Sequence, residues 1–335
     1  MIDGIMVAGA TGLVGRTMLR ILEERNFPAK ELIAVASERS AGTSIPFRGK
    51  EVTVTTAEKA LERRPGIALF SAGKEVSWIW APVFAQSGCR VIDNSSCWRM
   101  DAGVKLIVPE INGHLLGRND LLIANPNCST IQMVMALAPL HRKFRLKRIV
   151  ASTYQSVTGS GQKGLEQLGA ERLARVGEKQ APAAGSIYPC PIDLNVIPLI
   201  GDLTPDGYTA EEIKMKEETR KILDDPGIRV SATTVRVPVE GGHCVAVNAQ
   251  FVQPFSMDEV FALLGSFPGL VLNDGPGRTG FAVPREAGGT DPVYVGRVRR
   301  DTSAENTLDL WTVADNLRKG AALNAVQIAE RLLDL

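Results

Sequence analysis

The chain opens on a short apolar run, Ile5-Met6-Val7-Ala8, which gives way to glycines at 9, 12 and 15 and then to Leu19, Ile21 and Leu22 at helical spacing. Strand, glycine turn and helix in that order leave few alternatives for the local fold. Missing side chains in such a turn let backbone N–H groups and the positive end of the helix come close to a pyrophosphate. Gly9, Gly12 and Gly15 are evenly spaced, a departure from G-x-G-x-x-G, and the same pattern also suits a tight turn with no ligand. Its place at the first strand of a strand–helix–strand unit favours the nucleotide.

Further short apolar runs follow at Leu32-Ile33-Ala34-Val35-Ala36, Ile67-Ala68-Leu69-Phe70, Arg90-Val91-Ile92-Asp93 and Leu121-Leu122-Ile123-Ala124, with helical segments between them. That alternation predicts a parallel sheet covered on both faces, the Rossmann-type α/β pattern. After about residue 128 the texture changes. Longer β-prone stretches, from Arg148 to Tyr154 and from Val245 to Phe251, predict a more antiparallel α+β domain. The stretch from Phe267 to Thr290, rich in glycine and proline, reads as loops. Thr312 to Leu335 reads as a helix folding back on the first domain, with Leu317, Ala321, Leu323, Val326, Ile328 and Leu332 as its apolar positions. A chain of 335 residues exceeds what one core usually serves. The predicted division is therefore residues 1–127 plus 312–335, and 128–311.

Lys plus Arg number 38 and Asp plus Glu 37, so there is no net field to hold a polyanion, and no basic run is interleaved with aromatics. Nucleic acid is excluded as a partner. Met1-Ile2-Asp3-Gly4 has none of the basic and apolar character of a signal peptide, and no apolar run approaches about 18 residues. The expectation is a soluble cytoplasmic protein with no membrane contact. Five cysteines at 89, 97, 128, 190 and 244 show no CxxC pair and no Cys/His cluster at zinc spacing. Neither a disulfide framework nor a metal site is expected.

The end of the second strand discriminates between cofactors, because an NAD site usually places an acid about 20 residues past the glycines. Here the strand runs into Ser37-Glu38-Arg39-Ser40-Ala41-Gly42. Glu38 can serve as that acid, but Arg39 flanked by hydroxyls suits a 2′-phosphate better, since guanidinium binds phosphate bidentately. NADP is favoured over NAD, while a solvated Glu38–Arg39 pair remains the alternative.

Cys128 stands in Asn125-Pro126-Asn127-Cys128-Ser129-Thr130, after an apolar strand and before the helical run Ile131 to Leu137. The positive end of a helix dipole favours thiolate there, although a cysteine is by default a small buried hydrophobe. The chain holds three histidines. His141, beside Arg142 and Lys143, reads as surface, and His114 lies in a polar turn. His243 follows Gly241-Gly242 and precedes an apolar strand, and bare backbone beside it gives a substrate room. Arg236 is a lone cation in the apolar strand around Val235 and Val237, which suits either an arriving anion or an internal carboxylate.

Taken together, Gly9-Ala10-Thr11-Gly12, Ser71-Ala72-Gly73, Asp93-Asn94-Ser95-Ser96, Pro109-Glu110-Ile111-Asn112, Asn125 to Thr130, Tyr154-Gln155-Ser156-Val157, Asn195-Val196-Ile197-Pro198, Arg236 with Gly242-His243, and Ala314 to Gly320 resemble the aspartate-β-semialdehyde dehydrogenase family. The motifs run from residue 9 to residue 320. The resemblance implies a Rossmann-type NADP-binding domain completed by the C-terminal helix, and an α+β catalytic and dimerisation domain that forms a homodimer. It implies that Cys128 forms a thiohemiacetal and then an acyl-thioester, that His243 moves the proton and that Gln155 orients the intermediate. Arg236, Glu211, Gln155 and Asn127 would bind the amino-acid substrate, and Arg99 and Lys214 would bind phosphate. Gly9, Thr11, Gly12, Leu13, Val14, Arg39, Ser40, Ser71, Thr158, Gly159 and Asn316 would hold NADP. Aspartate semialdehyde, aspartyl phosphate and phosphate are the implied small-molecule partners.

Three positions depart from the family pattern. Cys97 and Cys244 stand where a small or hydroxyl residue is more usual, and Thr158 where serine is common. Cys244, beside His243, is open to oxidation. Among rivals, N-acetyl-γ-glutamyl-phosphate reductase shares the thioester logic but lacks the free ammonium that Glu211 suits. Glyceraldehyde-3-phosphate dehydrogenase differs in its cysteine and cofactor motifs. A binding-only homologue would have no use for Cys128, Gln155 and His243 together.

Overall fold

The computed structural model describes residues 2–177, 187–274 and 280–335. It separates into two compact units, Met1–Pro126 with Ala321–Leu335, and Asn127–Gly320. None of the helices among the described residues is long and apolar enough to cross a membrane.

The first unit begins with β1 (Ile2–Ala8), α1 (Leu13–Glu24) and β2 (Ala29–Val35). The hairpin β3 (Ser44–Phe47) and β4 (Lys50–Thr53) comes next, then α2 (Ala57–Glu62), β5 (Ile67–Phe70), α3 (Lys74–Gln86) and β6 (Arg90–Asp93). β7 (Lys105–Leu106), α4 (Pro109–Asn112) and β8 (Leu122–Ala124) follow. The main sheet has the order β2-β1-β5-β6-β8-β7, and every adjacent pair is parallel. Its strands read as unbroken apolar runs because each face is covered. Val7, Ala34 and Leu69 point to the side of Met18 and Leu22 of α1, while Met6, Ile33, Ala68 and Phe70 pack with Ala81 and Phe84 of α3.

The second unit holds α5 (Cys128–Phe144), β9 (Leu146–Gln155), α6 (Gly161–Arg175), α7 (Ala210–Leu223), β10 (Arg229–Arg236) and β11 (His243–Phe251). It continues with α8 (Met257–Ser266), β12 (Leu270–Leu272), α9 (Pro284–Ala287), β13 (Val293–Arg300) and β14 (Thr307–Ala314). The sheet order is β10-β9-β11-β14-β13-β12, mixed, with antiparallel pairs at its centre and parallel pairs at its two edges. One face carries Ile149, Ala151, Val245 and Val247 against Met133, Leu137 and Leu140 of α5. The other face presents the half-exposed Val150, Ser152, Ala246, Asn248 and Trp311, with Tyr154 39% exposed.

The last helix, α10 (Leu323–Leu333), buries Val326, Ile328, Ala329 and Leu332 in the core of the first unit, so that domain is completed from the end of the chain. Asn324 donates to Asn125 Oδ1 at 2.7 Å and to the carbonyl of Ile107 at 2.9 Å, which ties α10 to the sheet's loops by buried polar bonds.

Three expectations need correction. The predicted helix from Thr312 starts too early, because Thr312–Ala314 complete β14, whose hydrogen bonds to β11 and β13 override the local apolar spacing. The boundary therefore falls after Gly320 rather than at 312, and Asn127 belongs with the second unit. The predicted loops from Phe267 to Thr290 contain β12 and the short α9, and residues 275–279 of that stretch lie outside the described residues.

Candidate active site

The glycine turn is shaped for close approach of backbone. Gly9 has φ +82°, and a Cβ there would collide with the carbonyl of Ser71, while a Cβ at Gly15 would collide with the carbonyl of Gly9. No side chain caps the N-terminus of α1, so its first N–H groups are left for an anion. In the same unit a cleft of about 440 Å³ is lined by Gly9, Thr11, Gly12, Ser37, Glu38 and Ser71. Leu13 and Val14 form the first turn of α1. Arg39 is exposed and Ser40 half-buried in the 3-10 turn Glu38–Ser40, next to Glu38 in the cleft wall. These residues fit a dinucleotide. Arg99 also belongs to this unit, buried, with Nη2 donating to the carbonyl of Asn94 at 3.0 Å.

The second unit contains the candidate nucleophile. α5 begins at Cys128 because Asn127 caps it: its Oδ1 accepts the N–H groups of Ser129 at 2.9 Å and Thr130 at 3.1 Å. Cys128 is half-buried at the first helical position, where the dipole favours a thiolate. Gly320 lies against it, and a Cβ there would come within 2.9 Å of Cys128 Cβ. Asn127 Nδ2 donates to Glu211 Oε1 at 2.7 Å, and Gln155 Nε2 approaches the same oxygen at 3.3 Å.

Sheet register assembles the rest. Arg236 at the end of β10 pairs with Gln155 at the end of β9, and Gln155 pairs with His243 at the start of β11. Three side chains remote in sequence therefore stand in a row, each one strand spacing of about 4.8 Å from the next. Gly159 lies over them, where a Cβ would come within 2.5 Å of Arg236 Nη1 and 3.1 Å of His243 Nε2. Any larger residue at 159 would collide with the row.

Arg236 is 4% exposed, donates Nη1 to the carbonyl of Ser156 at 2.7 Å and lies over the Tyr188 ring at 5.9 Å. It pairs with no carboxylate among the described residues, and its buried Nε has no acceptor. Of the two readings left open by the sequence, the arriving anion is the one this geometry favours. Burial pulls the guanidinium pKa down, against the opposing influence of Tyr188, Cys128 and Glu211. Glu211 is also buried, which by itself would raise its pKa. The charge of Lys214 and hydrogen bonds from Asn127, Lys214 and Gln155 outweigh burial and hold it below the usual carboxylate range. It is thus an ionised carboxylate with Lys214 Nζ at 3.2 Å.

His243 has no exposed surface, and burial followed by the charge of Arg236 pushes its pKa down from 6.5 to about 3. The ring is neutral at pH 7. Its Nδ1 lies 3.1 Å from the amide nitrogen of Ser156, which can only donate, so the ring proton sits on Nε2. Ser156 Oγ is also 3.1 Å from Nδ1, and it connects to Thr158 Oγ1 at 2.9 Å and Asn316 Oδ1 at 3.2 Å. Thr158 and Asn316, predicted to contact cofactor, thus also brace the histidine.

His141 is half-buried rather than on the surface, because its Nδ1 accepts the N–H of Leu146 at 3.1 Å to close the end of α5. Cys244 is buried and its thiol is pushed up to about 12, so it lacks the thiolate that oxidation needs. Sequence reasoning missed Ser156, Tyr188 and Glu218. Glu218 was within reach of it, since it stands two helical turns after Glu211 on the apolar side of α7.

The sequence matches the family described as "Semialdehyde dehydrogenase, NAD binding domain" over residues 4–118 and "Semialdehyde dehydrogenase, dimerisation domain" over residues 137–319. It is 48% identical over 332 residues to "Aspartate-semialdehyde dehydrogenase" of Aquifex aeolicus (strain VF5), covering 98% of this chain and 97% of the relative. Identity to the protein of the same description from Bacillus subtilis (strain 168) is 42% over 337 residues, covering 99% and 97%. The structure superposes on the crystal structure of aspartate semialdehyde dehydrogenase II complexed with ASA from Vibrio cholerae with a TM-score of 0.95 and 45% identity, covering 100% of this chain and 99% of that one.

The buried neutral histidine has a consequence for stability. Between pH 6.5 and about 3 the unfolded ring binds a proton that the folded ring refuses, so stability declines as pH falls through that window and is unaffected above it. At about pH 5, unfolding of His243→Asn should take up about one proton fewer than unfolding of the parent chain. The slope of unfolding free energy against pH measures it, and equal slopes would return the ring to its ordinary titration.

Proposed function

The chain belongs to the aspartate-semialdehyde dehydrogenase family, and on that footing we propose that it reduces L-4-aspartyl phosphate to L-aspartate 4-semialdehyde, reversibly and with NADPH, through an acyl-thioester on Cys128. The observation that carries this reading is the row Arg236, Gln155 and His243 across three strands, with Cys128 at the head of a helix capped by Asn127, which bonds the same carboxylate oxygen of Glu211 as Gln155. Such an oxidoreductase serves amino-acid biosynthesis. The product would feed lysine with diaminopimelate, threonine, methionine and isoleucine.

In the reductive direction the Cys128 thiolate attacks the acyl carbon, the carbon–oxygen bond to phosphate breaks, and phosphate leaves, with Arg99 and Lys214 assigned to it by the family resemblance. Arg236 holds the substrate α-carboxylate by its free Nε edge, and Glu211 takes the ammonium, an assignment that suits its ionised state. Gln155 keeps the thioester carbonyl in place beside Glu211. The reduced nicotinamide, when bound, supplies the hydride to that carbonyl. The Nε2–H of His243 then donates to the oxygen as it gains charge, in a site dry enough to make the bond strong. When the carbon–sulfur bond breaks, the aldehyde forms, the thiolate returns and His243 keeps its proton. A ring with the proton on Nε2 serves this cycle without ever having to become a cation.

NADP rather than NAD is assigned on Arg39 and Ser40, which follow the cleft-wall residue Glu38 in one 3-10 turn, because a guanidinium can grip a 2′-phosphate bidentately. A reducing compartment such as the cytoplasm is assigned to the reaction, because the thiol must stay reduced to act. A homodimer is assigned to the open sheet face bearing Val150, Ser152, Tyr154, Asn248 and Trp311. A sedimentation mass equal to one chain at micromolar concentration would remove the dimer.

The deciding assay is oxidation of aspartate semialdehyde with NADP and with NAD, each with and without phosphate. NADPH should form only with phosphate, NAD should serve less well, and Cys128→Ala should be inactive while still binding NADP. Turnover that ignores phosphate, or that survives in Cys128→Ala, would sink the mechanism. Arg236→Lys should lower kcat/KM by about 10- to 100-fold, because a point charge replaces a planar donor edge. Unchanged kinetics there would make Arg236 structural.

A further inference from the structure

Glu218 is an acid with no exposed surface, on α7, and no step of the proposed chemistry uses it. A buried carboxylate survives only where hydrogen bonds replace the water it has lost. Glu218 Oε2 accepts the backbone N–H of Asn127 at 2.6 Å. Asn127 is the residue directly before Cys128, and its side chain is committed elsewhere, with Oδ1 capping α5 and Nδ2 bonded to Glu211. Asn127 is therefore gripped twice by one helix, through its side chain by Glu211 and through its backbone by Glu218.

That helix is itself well anchored. Thr209 and Glu212 form a reciprocal capping box at its start, Glu212 Oε1 accepts the N–H of Thr234 at 2.9 Å, and Met215 lies in the core of the unit with no exposed surface. On the far side of the cysteine, Gly320 packs so near that an added Cβ would come within 2.9 Å of Cys128 Cβ. The grip of Glu218 thus fixes the Pro126–Asn127 peptide, one residue before the Cα from which the Cys128 side chain projects.

We infer that Glu218 is a positioning residue for the nucleophile, holding the Asn127–Cys128 turn through the Asn127 N–H so that the sulfur meets the face of the acyl carbonyl. The inference rests on Cys128 being the nucleophile. The isosteric Glu218→Gln keeps an acceptor oxygen and loses the charge, whereas Glu218→Ala loses the acceptor altogether.

The test uses the full-length protein and two readouts, steady-state kinetics with aspartate semialdehyde, phosphate and NADP, and the rate of Cys128 alkylation by iodoacetamide as a function of pH. The expected result is a fall in kcat of about tenfold in Glu218→Gln and about a hundredfold in Glu218→Ala, the scale of a misplaced reacting atom, with KM for NADP within about twofold. The midpoint of the alkylation profile should shift in both variants, which a residue that only stabilises the fold would not cause. A Glu218→Gln enzyme that binds NADP and keeps kcat and the alkylation profile within about twofold of the parent overturns the proposal. If Glu218→Ala does not fold, Glu218→Gln decides alone. If iodoacetamide modifies Cys128 of the parent chain without inactivating it, the nucleophile assignment fails instead, and the two failures are told apart.

Discussion

Four ionisable side chains, Arg236, His243, Glu211 and Glu218, are taken almost wholly out of water beside one thiol, and the second unit is organised around making that tolerable. Each charge or ring nitrogen must find a partner that the solvent no longer supplies. Glu211 finds Lys214, Asn127 and Gln155, Glu218 finds the Asn127 backbone, and His243 stays neutral against the Ser156 amide. What is left over is chemically useful. Arg236 Nε and His243 Nε2 are the groups of this row without partners among the described residues, and they are the two that the proposed substrate would engage.

The two units solve different problems with the same economy of side chains. In the first, glycine at positions 9 and 15 removes the atoms that would keep backbone from backbone, and the first turn of α1 is left uncapped. In the second, Gly159 and Gly320 leave room for side chains, those of Arg236 and His243 at one and that of Cys128 at the other. Polar atoms are placed by main chain and strand register, which are rigid, rather than by long flexible side chains. The reliance on register also explains why Arg236, Gln155 and His243 can be so far apart in the chain and adjacent in space.

Much of this was legible from residue order. The parallel strands of the first unit are local apolar runs buried on both faces, and the Asn127 cap is a local polar signal, so both can be read without knowing the fold. The stretch from Thr312 misled, because its apolar spacing fits a helix over Leu317 to Leu332 while Thr312–Ala314 are claimed by two neighbouring strands. His141 misled for a similar reason, since two basic neighbours suggested solvent while the backbone of Leu146 held its ring inside. Whether Arg236 meets an internal carboxylate depends on which strands and helices surround it, and nothing within β10 itself decides that.

The sequence by itself determined the glycine turn, the thiol at the head of a helix and the motif set that identifies the family, because each is a property of neighbours along the chain. Only the tertiary structure decided that His243 is a neutral donor with its proton on Nε2, that Arg236 pairs with no carboxylate among the described residues, and that Glu218 holds the turn before Cys128. Those facts depend on desolvation and on hydrogen bonds between strands and helices distant in sequence. Neither quantity exists until the chain has folded.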